Sequence, residues 1–496
     1  MSVTVAATAG APALRLSPLE RLESLCDQGS FRPLRSAVVS GGLGDRARPG
    51  DGVIAGAGRV GGCPIFCYSQ DPAFLGGSLG EAQAETILRT MRLAGEAGAP
   101  VVGFVESGGA RLQEGHAGLS GYGRIFRESV RLSRTVPQIT IVGGVSAGGG
   151  AYSPALTDFV LMSRDARLFL TGPQVVAEAV GEEISMEDLG GPRVHESNGV
   201  CQIVTETEHD AIAKARHLLG LLSGPGHAVG PTGFPPPAEP DPGATVPANP
   251  RRTYDVRRTV DAIVDRDSLI EIHSRWGSGI FTGFARIEGR PVAVVANQPR
   301  RFGGVIDAEA AEKAAGFVDS ADRFGLPLVV LVDTPGFMPG ARQERAGVIR
   351  HGASLLRAFA GASVPRLTVV LRKAYGGAAI TMNSRDLGAD MVFAWPGAEI
   401  GIMSAGQAVR FVHRRELEGS SERERERLAD EYAERHLTAS AAAASGFVDE
   451  GIEPADTRPT LAWALATVAP GRDLAGPAGP VPAAGPRLDL VPGAAR

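Results

Sequence analysis

The second half of the chain repeats the first. "GAGRVGGCPIFCYSQDP" from Gly56 aligns with "GFARIEGRPVAVVANQP" from Gly283, an offset of 227 that recurs between Glu106 and Asp333. "VPQITIVGGVSAGGGAY" aligns with "VPRLTVVLRKAYGGAAI", which sets Gly148 against Gly376 at an offset of 228. A near-constant offset across three landmarks means one unit folded twice, and 496 residues exceed what a single core organises. The divide predicts an N-terminal unit over residues 1–224, a Pro/Gly-rich linker over 225–252, a second unit over 253–469 and a flexible tail over 470–496.

Both halves share a local grammar. Runs such as "PQITIVGGV", "DFVLM", "LPLVVLVD" and "RLTVVL" are apolar throughout rather than alternating, which suits strands covered on both faces. Amphipathic segments between them read as crossover helices; one is "AEAAEKAAGFVDSADRFG" (308–325), closed by Gly325. The expected fold is α/β, built from repeated β-turn-α units.

Composition excludes several classes. A net charge of −5 leaves no nucleic-acid footprint, and no window approaches the roughly 18 apolar residues of a membrane span. The four cysteines are too dispersed for a disulfide framework, and Cys63 and Cys67 in the strand-like "CPIFC" read as buried thiols. The N-terminus has no secretory pattern, so the expected location is the cytoplasm.

Two glycine-rich turns follow strands in each half. The first is "ESGGARLQEG" (106–115) and "DTPGFMPG" (333–340); the second is "SAGGGAYSP" (146–154) and "AYGGAAITM" (374–382). A helix N-terminus has unpaired N–H groups and the positive end of a dipole, and glycine lets a bound group approach the backbone. Such a turn holds an anion or a developing oxyanion. "GVSAG" (144–148) also matches the G-x-S-x-G of serine hydrolases, with Ser146 as nucleophile. Against that, Ala374 stands at the aligned position, and His195, His209, His351 and His436 lie in unrelated contexts. Weaker signals are read structurally. "GAGRVG" (56–61) is followed by a strand where a dinucleotide site needs a helix, so it reads as a hairpin turn. "RRELEGSSERERERLADEYAER" (414–435) reads as a solvated helix. Asp333 reads as a cap, and Arg372 and Lys373 as either phosphate contacts or surface cations.

With these motifs assembled, the sequence resembles the carboxyltransferase (β) subunit of biotin-dependent acyl-CoA carboxylases, the propionyl-CoA and acetyl-CoA carboxylase type. The resemblance runs from about residue 18 to about 460 and is carried by "SGGARLQEG", "AYSPALTDFVLM", "DLGGPRVHESNGV", "GFARIEGRPVAVVANQP", "DTPGFMPG", "RKAYGGA" and "FAWPGAEIGIM". It implies two crotonase-like domains of ββα units and a hexamer assembled as a trimer of dimers. The acyl-CoA then uses the N-terminal domain of one subunit and the carboxybiotin uses the C-terminal domain of its partner. The biotin is carried on a separate protein, with a biotin carboxylase as a further partner, and this subunit needs no metal.

Carried over by position, the resemblance gives the N–H groups of Gly148 and Gly149 to the thioester oxygen as the enolate forms, and those of Gly377 and Ala378 to the ureido oxygen of biotin. CO2 is released from carboxybiotin, the biotin nitrogen takes the α-proton, and the enolate attacks CO2. Ser107, Gly108, Gly109, Ala110 and Arg111 would line the CoA side of the cleft. Ala379 and Ile380 stand where relatives carry an aromatic residue and an acyl-pocket residue, which predicts room for a chain bulkier than propionyl. The alternatives are the carboxyltransferase of a biotin-dependent decarboxylase or transcarboxylase, a non-catalytic scaffold, and, remotely, a hydrolase using Ser146.

Overall fold

The computed structural model describes residues 15–222, 235–414 and 420–468. In the first half, β1 (Arg32–Leu34), β2 (Val53–Val60), β3 (Cys63–Gln70), β4 (Val101–Phe104) and β5 (Gln138–Val142) precede β6 (Val145–Ala147), β7 (Phe159–Ser163), β8 (Arg167–Phe169) and β9 (Ile203–Thr205). Seven of these form one sheet in the order β1-β2-β3-β4-β5-β7-β9, while β6 and β8 pair separately. In the second half come β10 (Ile270–Glu271), β11 (Ile280–Ile287), β12 (Arg290–Asn297), β13 (Leu328–Thr334), β14 (Arg366–Tyr375), β15 (Met391–Ala394), β16 (Glu399–Gly401) and β17 (Glu450–Gly451). Their sheet runs β10-β11-β12-β13-β14-β15-β17, with β16 pairing β14.

Each sheet opens with an antiparallel hairpin and continues in parallel. Parallel neighbours need crossovers, supplied by helices such as Glu81–Ala97 and Ala308–Arg323. The second of these is capped by Asp307, whose carboxylate accepts the Ala310 N–H at 2.8 Å, and it is followed by Gly325 at φ 67°. "GAGRVG" meets its expectation at one end only: Gly56 and Gly58 lie inside β2, while its last glycine, Gly61, makes the hairpin turn together with Gly62. Gly56 and Gly58 are needed there because an added Cβ would stand 2.2 Å from the Arg32 carbonyl oxygen or 2.3 Å from Cys26 Sγ.

The duplication extends to unusual backbone angles. Leu75 and Phe302, 227 apart, have φ of 51° and 49°, and the glycines after them follow suit at 65° and 72°. These bends press on the neighbouring strand ends: a Cβ on Gly77 would lie 2.1 Å from the Glu106 carbonyl oxygen, and one on Gly304 2.1 Å from that of Asp333. Gly148 and Gly376 share a φ of 59°, so the step to an offset of 228 is structural as well as sequential.

The halves share apolar packing. Leu22, Phe104 and Phe159 belong to the same buried cluster as Phe284, Phe317 and Leu328, and the rings of Phe159 and Phe284 meet edge to face at 5.8 Å. The Pro/Gly-rich segment is described from residue 235, and this part lies on the second half. Thr245 and Thr259 share a hydrogen bond of 2.7 Å, and Arg372 donates to the Arg252 carbonyl at 2.9 Å. The expected tail over 470–496 lies outside the described residues. The charged segment includes the helix Glu422–His436, which buries only Leu428. Among the described residues no helix is long and apolar enough to cross a membrane.

Candidate active site

In the first half β6 ends at Ala147, and the chain bends through Gly148 into the helix Gly149–Ala155. Gly148 stands at φ 59° and ψ −126°, a region open to glycine. Its N–H is committed to the Phe169 carbonyl oxygen at 3.1 Å, extending the β6–β8 ladder. The Gly149 and Gly150 N–H groups lie in the first helical turn, where the helix offers no acceptor. Gly150 is buried and Gly149 is partly open, so Gly149 presents the accessible amide.

Side chains fix this turn from beneath. A Cβ on Gly149 would sit 2.6 Å from the Tyr122 ring, and one on Gly150 would sit 2.7 Å from Ser146 Oγ. The Tyr122 hydroxyl shares a 3.0 Å hydrogen bond with Ser107 Oγ, and that oxygen also accepts the Gly109 N–H at 3.2 Å. Ser107 bridges Ser146 in the backbone, so the two glycine turns of this half are one assembly. Tyr122 was missed at the level of sequence because nothing local links it to residues 15 to 27 positions away.

Ser146 is fully buried, and its hydroxyl donates to the Gly150 carbonyl at 2.9 Å. His195 Nε2 donates to the Leu168 carbonyl at 2.6 Å, so that imidazole is engaged with backbone. The hydroxyl braces the turn.

The residues expected to line the CoA side divide. Gly108 is exposed, with its N–H on the Gly76 carbonyl at 2.8 Å, and Ala110 is half-buried. Ser107 and Gly109 are buried within the turn assembly. Arg111 is a correction: its side chain is 0% exposed and pairs at 2.7 Å with both Asp51 and Glu114. Burial without a partner would be costly for a guanidinium, so it stays inside and organises the loop around residue 51. Burial also raises the Asp51 carboxyl above its ordinary pKa, against the lowering pull of Arg111.

The second half repeats the plan with different side chains. β14 ends at Tyr375, and the helix Gly376–Thr381 follows directly. Gly377 is exposed, with nothing within 4 Å of an added Cβ, whereas Ala378 is fully buried. Gly377 therefore occupies the position of Gly149, and Ala378 that of Gly150. Ala379 packs against the main core, while Ile380 is 53% exposed beside the mouth. The Tyr375 hydroxyl donates to the Glu399 carboxylate from the paired strand β16. Burial first, and then that carboxylate, raise the Tyr375 pKa.

A buried carboxylate closes the strand beside each turn. Glu106 accepts from Arg21 at 2.7 Å and Arg15 at 2.7 Å, and Asp333 accepts from Arg372 Nε at 3.0 Å. Their backbone N–H groups donate to Gln70 and Asn297, which are themselves 227 apart. Asp333 is thus an ion-pair partner rather than a cap, and Arg372 is buried rather than a surface cation. Burial raises the Asp333 pKa, partly offset by Arg372.

Comparisons with known proteins agree with this geometry. The sequence signature described as "Carboxyl transferase domain" matches residues 12–472. The chain is 43% identical over 464 residues to the propionyl-CoA carboxylase carboxyltransferase subunit of Haloferax mediterranei, covering 90% of this chain and 89% of that one. It is 40% identical over 469 residues to the methylmalonyl-CoA decarboxylase subunit alpha of Veillonella parvula, covering 92% and 91%. Among solved structures it is similar to the transcarboxylase 12S hexamer with methylmalonyl-CoA and methylmalonic acid bound, at a TM-score of 0.87 and 42% identity over 92% of this chain and 90% of that one. Duplicated crotonase-type halves, paired glycine mouths and these similarities together establish that the chain belongs to the carboxyl transferase domain family of biotin-dependent acyl-CoA carboxylase subunits.

Proposed function

We propose that this chain is the carboxyltransferase subunit of an acyl-CoA carboxylase, moving a carboxyl group between a carrier-bound biotin and the α-carbon of an acyl-CoA. The matched pair of helix mouths carries the reading: Gly148 and Gly376 share a φ of 59°, and each is followed by a glycine that is not buried, Gly149 or Gly377. The Gly149 N–H receives the thioester oxygen as charge builds on it during enolisation, with Gly148 setting the bend. A preorganised donor of this kind is worth about 3–4 kcal/mol of barrier. Holding two reactants in attack geometry supplies much of the rest.

The open space at Gly377 fits a flat ureido group, which the Gly377 amide would hold with Ala378 behind it. Biotin, when bound, supplies the carboxyl unit and the base for the α-proton. Ala379 and Ile380 border the acyl end, and the small alanine leaves room for a chain bulkier than propionyl. Gly108 and its turn border the CoA. The units 1–224 and 253–469 then serve the acyl-CoA and biotin sides, in a cytoplasmic hexamer working with a biotin carboxylase and a biotin carrier.

The Veillonella parvula relative favours one second reading, the same transfer run as a decarboxylation. A reconstituted complex supplied with biotinylated carrier, ATP, bicarbonate and acetyl-, propionyl-, butyryl- and longer acyl-CoAs tests both. We expect ATP-dependent carboxylation that is lost in Gly149→Pro and Gly377→Pro, because proline removes the N–H donor. The space at Gly377 is open, whereas Gly149 lies against the Tyr122 ring, so loss in the Gly149 variant counts only with an unchanged circular dichroism spectrum. Strict preference for acetyl-CoA rejects the enlarged pocket. In a parallel assay supplied with methylmalonyl-CoA in place of the acyl-CoAs, loss of its carboxyl group to the carrier without net carboxylation in the first assay selects the second reading.

A further inference from the structure

The duplicated loop between a hairpin and its first crossover differs in charge between the halves. After β3 the chain reads Ala73-Phe74 before its bend, whereas after β12 it reads Arg300-Arg301 before the matching bend, 227 residues later. Here a cavity of about 320 Å³ is lined by Arg257, Ser274, Ser278, Gln298, Arg300 and Arg301. Among the described residues no carboxylate lines it. Glu271 grips Arg257 at 2.6 and 2.7 Å, and Asp255 meets Arg300 at 3.4 Å. That second contact is long, and the Arg300 side chain is 72% exposed, so it binds weakly and exchanges partners easily. The Arg301 guanidinium is exposed and has no ion-pair partner among the described residues. Arg275, on the same loop as Ser274 and Ser278, is 71% exposed but already paired with Glu196 at 3.1 Å, the carboxylate that also accepts from Ser274.

The cavity is on the rim used by the second glycine turn. Gln298 follows the carboxyl end of β12, which runs parallel to β13; β13 in turn lies beside β14, which delivers Gly376. The bend at Gly304 packs on the Asp333 carbonyl, and Thr334 pairs with Ala374.

We propose that this cavity and its arginines dock an acidic segment of the protein that carries biotin. The inference rests on the assignment of the second half to the biotin arm. A macromolecular partner fits better than a small anion because the exposed guanidinium of Arg301 and the weakly paired one of Arg300 stand on the rim instead of converging on a buried point. Rim charges of this kind steer encounter and set its salt dependence. The carboxylates of Asp255 and Glu271 lie behind the arginines and hold Arg257 and Gln298 in place, Gln298 donating to Asp255 at 2.8 Å.

The test compares two acceptors of the carboxyl group from a carboxylated acyl-CoA: a biotinylated carrier and free biotin. The full-length chain is assayed as wild type, as Arg301→Glu and as Arg300→Gln/Arg301→Ala. The expected result is a KM for the carrier raised about tenfold in Arg301→Glu, with a flattened salt dependence, while the constants for free biotin and acyl-CoA move less than about twofold. The neutral double variant falls between. A carrier KM equal to that of wild type overturns the proposal. So does a rise in the acyl-CoA KM alone, which assigns the cavity to a nucleotide phosphate. If the wild type transfers to neither acceptor, the carboxyltransferase reading itself falls and takes this inference with it; transfer to free biotin in every variant keeps the two failures apart.

Discussion

The Ser146 hydroxyl spends its proton on the Gly150 carbonyl, inside a turn whose neighbouring oxygen, Ser107 Oγ, is held by Tyr122 and Gly109. A nucleophile needs a base within reach and an open face, and this oxygen has neither a base partner nor exposure. Ser146→Ala removes one buried hydrogen bond, a loss of about 1 kcal/mol, and leaves the amides of the helix mouth where they are. Carboxyl transfer by the variant is therefore expected to remain within a few-fold of wild type. Complete loss of transfer from a variant with unchanged circular dichroism would restore the hydrolase reading. At this scale the bend at Gly148 was legible because it follows from glycine's own backbone freedom, but the donor role expected of its N–H was not, since that N–H is bonded to the Phe169 carbonyl. A role was illegible where it depends on a distant partner. The family resemblance of "SGGAR" places Arg111 on the CoA side, but Asp51, 60 positions earlier, claims its guanidinium.

The two helix mouths share the φ of their leading glycine and have different floors. Beneath Gly149 lies the Tyr122 ring, 2.6 Å from where a Cβ would stand, while the space around Gly377 is open to 4 Å. Gly149→Ala must push a buried ring or tilt the helix, an overpacking cost of about 1–3 kcal/mol. Gly377→Ala meets no protein atom and gains helix propensity, at most about 1 kcal/mol. Thermal melts are expected to show a lowered Tm for the first and an unchanged or raised Tm for the second, with transfer reduced in both. Equal destabilisation would mean that the floor under Gly149 yields. Elements were legible where periodicity was long: the apolar runs became buried strands, and 308–325 became the helix Ala308–Arg323. Short elements held by tertiary pairing were not. Gly56 and Gly58 of "GAGRVG" lie inside β2, where Phe31 and Cys26 from the preceding segment fill the space above them, a contact no local pattern encodes.

The two halves meet along a seam that joins polar groups as well as rings. His273 N–H donates to the Gln202 carbonyl at 3.0 Å, and its Nε2 to the Gly199 carbonyl at 3.0 Å, so second-half backbone is tied to first-half backbone. Lys313 lies behind, only 2% exposed, donating at 2.7 Å to the carbonyls of His273 and Ile280. Burial pulls its pKa down to about 7; Glu271 raises it somewhat and Arg257 lowers it further. His273 is depressed to about 4, chiefly by the same burial, with Lys313 adding to the effect. In the unfolded chain a lysine titrates near 10.4. Between pH 7 and about 10 the unfolded state therefore binds a proton that the folded state does not, and stability rises with pH through that window by up to about 1.4 kcal/mol per unit. Below pH 7 both states are protonated and the term is level. Lys313→Met removes the titration while keeping the length of the side chain. Urea unfolding of both proteins from pH 6 to 10 is expected to give a difference, wild type minus variant, that is flat to pH 7 and then climbs. Parallel curves would show that Lys313 keeps its charge throughout, with the two carbonyls sufficing to hold an ammonium at the join of the duplicated halves.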